Sequence, residues 1–146
     1  MISEVTVENL QSQPMATVLG SSIQRDLSQN IKRFFDEFYA NPPTGERGLN
    51  IVYYHGAPDR DLFANGGEML IECGVLMAAG NGATPAGRVV TVAYHGSYDG
   101  LGEAYDALSR YCAEHKLARA GPFWEVYGHW NDDPAKLRTD VFQLLK

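Results

Sequence analysis

Three observations predict an α+β fold built from two copies of a strand-helix-strand-strand unit. The chain repeats itself at a shift of 74 residues without a gap: Thr17-Val18 recurs as Thr91-Val92, Leu27 as Leu101, Val52-Tyr53 as Val126-Tyr127, His55 as His129 and Asp59 as Asp133. The expected elements coincide under the same shift. Each half also carries one apolar stripe at helical spacing, Leu27, Ile31, Phe34 and Phe38 in the first and Leu101, Tyr105, Leu108 and Cys112 in the second. A stripe of this kind needs a sheet face to bury it. Both helices should therefore lie on one face of an antiparallel sheet, leaving the other face free for a pseudo-twofold ligand cleft. A period this long marks two half-domains rather than a solenoid. The expected organisation is a single domain over 1–146, with half-repeats at about 4–79 and 86–145.

Taken in order, Glu4 to Leu10 is a candidate extra edge strand, and Met15 to Gly20 opens the first half. Ser21 and Gln24 have the spacing of a capping box at the next helix start. Asn41-Pro42-Pro43 stops that helix, because proline cannot continue it. Leu49 to Tyr54 and Glu68 to Met77 read as strands, joined by a loop holding Gly56, Pro58, Gly66 and Gly67. Gly80 to Gly87 is a flexible joint. In the second half, Arg88 to His95 is a valine-rich strand, and Gly96-Ser97 supplies a turn and an N-cap with Asp99 in the first helical turn. Phe123 to Trp130 and Asp140 to Leu145 are the last two strands.

A chain of 146 residues can bury roughly two-thirds of its unfolded surface. Its 12 basic and 18 acidic residues give a net charge of −6 with no basic run, which argues against direct nucleic-acid binding. No apolar run is long enough for a membrane span, and Met1-Ile2-Ser3-Glu4 does not begin like a secretory signal. Cys73 and Cys112 each fall inside a patterned element, so both are expected reduced and buried, in keeping with a cytoplasmic setting.

The residue with most chemistry in it is Glu125, in Phe123-Trp124-Glu125-Val126-Tyr127-Gly128-His129-Trp130. Alternation puts Phe123, Glu125, Tyr127 and His129 on one strand face, and Trp124, Val126, Gly128 and Trp130 on the other. We expect the Glu125 face to be the one turned away from the helices. Under the 74-residue shift Glu125, Tyr127 and His129 match Ile51, Tyr53 and His55, so Tyr53 and Tyr127 should meet across the pseudo-twofold axis with an acid on one side only. Either Glu125 points into water while the tyrosines pack, or it is the charged end of an aromatic site for a flat cation. A bend at Gly128 would aim Trp130 at that site. Tyr98 is placed to close the cleft, His95 lies at the same strand-to-helix turn, and Glu68 and Glu72 form a solvated edge or a pocket rim. The candidate ligand-binding residues are thus Glu125, Tyr53, Tyr127, Tyr98, His95, Trp130, Phe123 and Glu68.

Other chemistry finds little support. Ser97 beside His95 lacks a third member for a nucleophilic triad. The glycines of Asn81 to Gly87 match no phosphate-cradling loop. Four dispersed histidines and no acid cluster leave no ground for a metal, and no cofactor is expected.

Pro85-Ala86-Gly87-Arg88, His95-Gly96-Ser97-Tyr98-Asp99-Gly100-Leu101, Trp124-Glu125-Val126-Tyr127, Asp133-Pro134 and Thr139-Asp140-Val141 together resemble the gyrase-inhibitor-like (GyrI-like) small-molecule-binding domain, which also serves as the effector-binding half of AraC-type and multidrug-sensing regulators. The resemblance covers roughly Glu4 to Leu145. It implies two strand-helix-strand-strand units around an aromatic cleft, with Glu125 as countercharge for lipophilic cations. Some stand-alone members resemble hydrolases that open strained cyclopropane rings, in which case Glu125 would be catalytic. Both helices are used by the repeat, so a DNA-binding role is not expected of this chain by itself. The partners implied are a small molecule, DNA gyrase if the chain inhibits it, and a second copy if an exposed edge strand pairs in a homodimer.

Overall fold

The computed structural model describes residues 1–56 and 67–146. The loop positions Pro58, Asp59 and Gly66 lie outside the described residues. Among those described are eight strands: β1 (Thr6–Leu10), β2 (Pro14–Ser22), β3 (Asn50–Tyr54), β4 (Met69–Leu76), β5 (Gly82–Ala83), β6 (Gly87–His95), β7 (Arg119–Tyr127) and β8 (Arg138–Leu145). The described residues also form two α-helices, α1 (Leu27–Ala40) and α2 (Gly102–Glu114), giving an α+β fold. The strands form one sheet in the order β1-β6-β8-β7-β3-β4-β2-β5, with every neighbouring pair antiparallel. That order is a palindrome of the duplication. β6-β8-β7 and β3-β4-β2 are the two halves, β3 and β7 join them at the centre, and β1 and β5 extend the outer edges.

Both helices pack on one face. In α1, Phe34 and Phe38 are buried against Val52, Ile71, Cys73 and Val75. In α2, Ala104, Leu108 and Cys112 are buried against Val90, Val92, Tyr94 and Val141. The Phe34 ring lies directly over Gly20, where a Cβ would come within 2.2 Å of it, so only glycine lets α1 sit this close to β2. Cys73 and Cys112 are free and buried in these two cores.

The expected helix caps are replaced by single turns of 3-10 helix. Ser21 stays in β2, the turn Gln24–Asp26 follows, and α1 starts at Leu27 without a side-chain cap. Ser97 likewise precedes a 3-10 turn, Tyr98–Gly100, without capping it; its carbonyl instead accepts from the Tyr94 hydroxyl at 2.8 Å. Gly96 makes the preceding turn at φ +143°, which favours glycine.

The face away from the helices is not free. Met15, Ile51, Tyr53, Val89, Trp124 and Val126 are buried there as a core of their own. Trp124 stacks between Tyr53 and Phe142, at ring separations of 5.9 and 5.5 Å. The central strands therefore bury side chains on both faces.

Candidate functional site

At the centre of the sheet Glu125 on β7 pairs with Val52 on β3 and with Val141 on β8. Paired residues share a face, and Val52 and Val141 belong to the helix-side cores. Glu125 therefore points toward the helices, not away from them as expected. Its side chain is 3% exposed. Three tyrosine hydroxyls converge on it: Tyr54 from β3 donates to Oε1 at 3.2 Å, Tyr127 from the same strand also donates to Oε1, and Tyr105 from α2 donates to Oε2. Phe123 supports this cluster from below. It stacks on Tyr54 with centroids 4.4 Å apart and meets Tyr105 edge-on at 5.7 Å.

Burial pushes the Glu125 carboxyl above its ordinary pKa, and the three phenol hydrogen bonds pull it part of the way back. The three phenols are each held well above their usual value, first by burial and then by the Glu125 charge. All three stay protonated at neutral pH, with their single protons committed to the carboxylate.

Above the carboxylate a cleft of about 660 Å³ opens between the starts of the two helices. One wall is apolar, made by Leu27, Ile31 and Phe35 of α1, with Gln24 and Ser28 at its end. The other is aromatic, made by Tyr98, Leu101 and Tyr105 with Tyr127 and Trp130. Asn50, Tyr54 and Glu125 lie on its sheet side. Tyr98 meets Tyr127 edge-on at 5.6 Å, and Trp130 is 70% exposed at the rim. Among the described residues no Lys, Arg or His lines the cleft, so Glu125 faces it with no described basic group along it. No group of three or more His, Cys, Asp or Glu among the described residues could hold a metal ion.

The expected site residues divide accordingly. Glu125, Tyr127, Tyr98 and Trp130 line the cleft, and Phe123 packs beneath it. Trp130 gets there because β7 ends at Tyr127 and alternation no longer governs the chain. Tyr53, His95 and Glu68 do not line it. Tyr53 is on the opposite face, edge-on to His55, whose Nε2 lies 2.6 Å from Glu72 Oε2. His95 ends β6, where its backbone bonds to Met1. Glu68 is exposed just before β4.

Tyr53 lies on the opposite face because the repeat slips by one residue on the central strands. The 74-residue shift holds on the first strand and helix of each half, where Ala16 and Val18 share a role with Val90 and Val92, and Ile31 with Tyr105. On the central strands it is one residue too long. Val52 directly faces Glu125, so the counterpart of Glu125 is Val52, not Ile51, and the counterpart of Tyr127 is Tyr54, not Tyr53. Tyr54, Tyr105 and the α1 wall were thus absent from the expected site. Tyr105 carried a legible signal: it is the one polar-tipped ring in the α2 stripe, and a buried tyrosine hydroxyl requires a partner.

A concave, mostly apolar cleft with a few convergent polar groups is the general form of a small-molecule site, and the fold around it defines a ligand-binding domain built by duplication. The chain belongs to the GyrI-like small molecule binding domains, whose family profile matches residues 3–146. Among solved structures, EcmrR in its DNA complex superposes with a TM-score of 0.74 at 17% identity, covering 98% of this chain and 57% of that one. This chain therefore spans little more than half of EcmrR. SAV2435 bound to tetraphenylphosphonium gives a TM-score of 0.68 at 14% identity, with 99% and 94% covered. A hydrolase from Listeria innocua gives 0.59 at 8% identity, with 98% and 92% covered. At these identities the likeness is one of fold. No curated protein matches the sequence. Among the described residues no helix is long and apolar enough to cross a membrane.

Proposed function

We infer that this domain binds a lipophilic organic cation in the cleft between α1 and α2, with Glu125 as the countercharge. One observation carries the reading: a carboxylate 3% exposed opens onto an apolar and aromatic cleft that no basic group among the described residues lines. A buried charge without a cationic partner is costly, and a bound cation would supply that partner. The rings of Tyr98, Tyr127 and Trp130 add attraction for a cation over their faces, about 0.5–2 kcal/mol per contact. SAV2435, which shares the fold, was solved with a lipophilic cation bound. Titration calorimetry with tetraphenylphosphonium is the test. Wild-type protein is expected to bind it and Glu125→Gln at least tenfold more weakly; equal affinities would overturn the countercharge role.

Ring-opening hydrolysis draws less support from the same geometry. Glu125 could take a proton from water, but the protons of Tyr54, Tyr105 and Tyr127 all point at Glu125, so none is aimed at a leaving group as a general acid. Gyrase inhibition rests only on the net charge of −6.

A further inference from the structure

Resting on the cation-binding reading, the hydrogen bonds around Glu125 say which cations the site takes. A carboxylate offers about four acceptor positions, two on each oxygen. Tyr54 and Tyr127 occupy both on Oε1, and Tyr105 occupies one on Oε2. Among the described residues none fills the last position, on Oε2. We propose that the site selects cations whose charged centre carries at most one N–H, that is tertiary ammonium, quaternary ammonium or delocalised onium groups, over primary ammonium and guanidinium.

A guanidinium pairs with a carboxylate through two parallel N–H bonds, one to each oxygen. That arrangement is disfavoured here because Oε1 already accepts from both Tyr54 and Tyr127. A primary ammonium brings three donors to one free carboxylate position. Glu125 is too deeply buried for water to receive the remaining N–H groups. The phenol oxygens keep acceptor lone pairs, but a neutral acceptor makes a bond about half as strong as a carboxylate does. Each N–H stranded in a desolvated site weakens binding by roughly tenfold. A quaternary centre loses nothing in this way. It rests against the carboxylate, the phenol oxygens and the ring faces, none of which needs a directional donor.

The test is a matched series on one biphenylmethyl scaffold, bearing a primary ammonium, a dimethylammonium, a trimethylammonium or a guanidinium group, with the neutral alcohol as control. Affinities are measured by titration calorimetry at pH 8. The trimethylammonium compound is expected to bind wild-type protein more tightly than the primary ammonium or guanidinium compounds. Equal or reversed order would overturn the proposal. Added methyls also gain from apolar burial, about fourfold each, so the deciding quantity is a ratio that cancels this gain. Tyr105→Phe frees a second position on Oε2. The preference for trimethylammonium over primary ammonium should then shrink about tenfold, and an unchanged preference would overturn the proposal. Tyr54→Phe frees a position on Oε1 and serves the same comparison if Tyr105→Phe folds poorly. If the neutral alcohol binds as tightly as every cation, the cation-binding reading itself fails, an outcome distinct from loss of the N–H preference.

Discussion

The two halves of the duplication meet at β3 and β7, and there they differ in two residues that matter. One half presents Val52 from the sheet and Ile31 from its helix; the other presents Glu125 and Tyr105 at the equivalent places. Tyr54 and Tyr127 are the same residue type in both halves and both donate to Glu125. Two substitutions in one copy thus separate an apolar half-cleft from a charged, hydrogen-bonded one. A duplication supplies the cavity, and breaking its symmetry supplies the polarity.

The strongest way to break this comparison is to restore the symmetry with charge. Val52→Glu would set a second carboxylate directly against Glu125 in a buried row. We expect it to cost about 3–5 kcal/mol in urea unfolding at neutral pH, because neither charge would have a cationic partner among the described residues. A cost no larger than that of Val52→Gln would mean that the two positions do not meet. Next comes the pairing on α2. Removing the Tyr105 hydroxyl with Tyr105→Phe takes a hydrogen bond from a buried charge and should cost about 1.5–2 kcal/mol, whereas Ile31→Val at the matching place should cost about 0.5–1 kcal/mol. Equal costs would erase the distinction between the half-clefts.

pH sharpens the same contrast. Burial raises the Glu125 pKa above the ordinary 4.5, so the folded protein keeps a proton that the unfolded chain releases. This group's contribution to stability is complete below pH 4.5 and is lost as pH rises through its raised folded value. Over that window the difference in unfolding free energy between wild type and Glu125→Gln should change with pH, and a flat difference would show that Glu125 titrates normally. Cation affinity should run the opposite way, rising with pH as the carboxylate forms and levelling once it is ionised. The smallest effect on stability is expected at the rim. Trp130→Ala should leave unfolding within about 0.5 kcal/mol, since the ring is 70% exposed, yet weaken cation binding several-fold if the ring covers the ligand.

Much of this is legible in the sequence. The order of elements, the stripes Phe34-Phe38 and Leu108-Cys112, and Glu125 as the anomalous acid follow from periodicity and composition. The face of Glu125 did not. Trp124 and Val126 are as apolar as Phe123 and Tyr127, and both sets pack into a core, so an apolar pattern had no way to label the helix side. Nor did the identities of the repeat reveal the slip. Val52-Tyr53 matches Val126-Tyr127 letter for letter, but pairing places Val52 opposite Glu125.

By itself the sequence determined the class of fold, the duplication, the family and the one carboxylate worth asking about, because these depend on local spacing and residue type. Tertiary structure alone decided what surrounds that carboxylate. Tyr54, Tyr105 and Tyr127 come from two strands and a helix, and only strand register and helix placement bring their hydroxyls to the same two oxygens. A one-residue change of register turns every side chain of a strand to the other face. The partners of Glu125 are therefore fixed by pairing across the sheet, and not by any spacing along the chain.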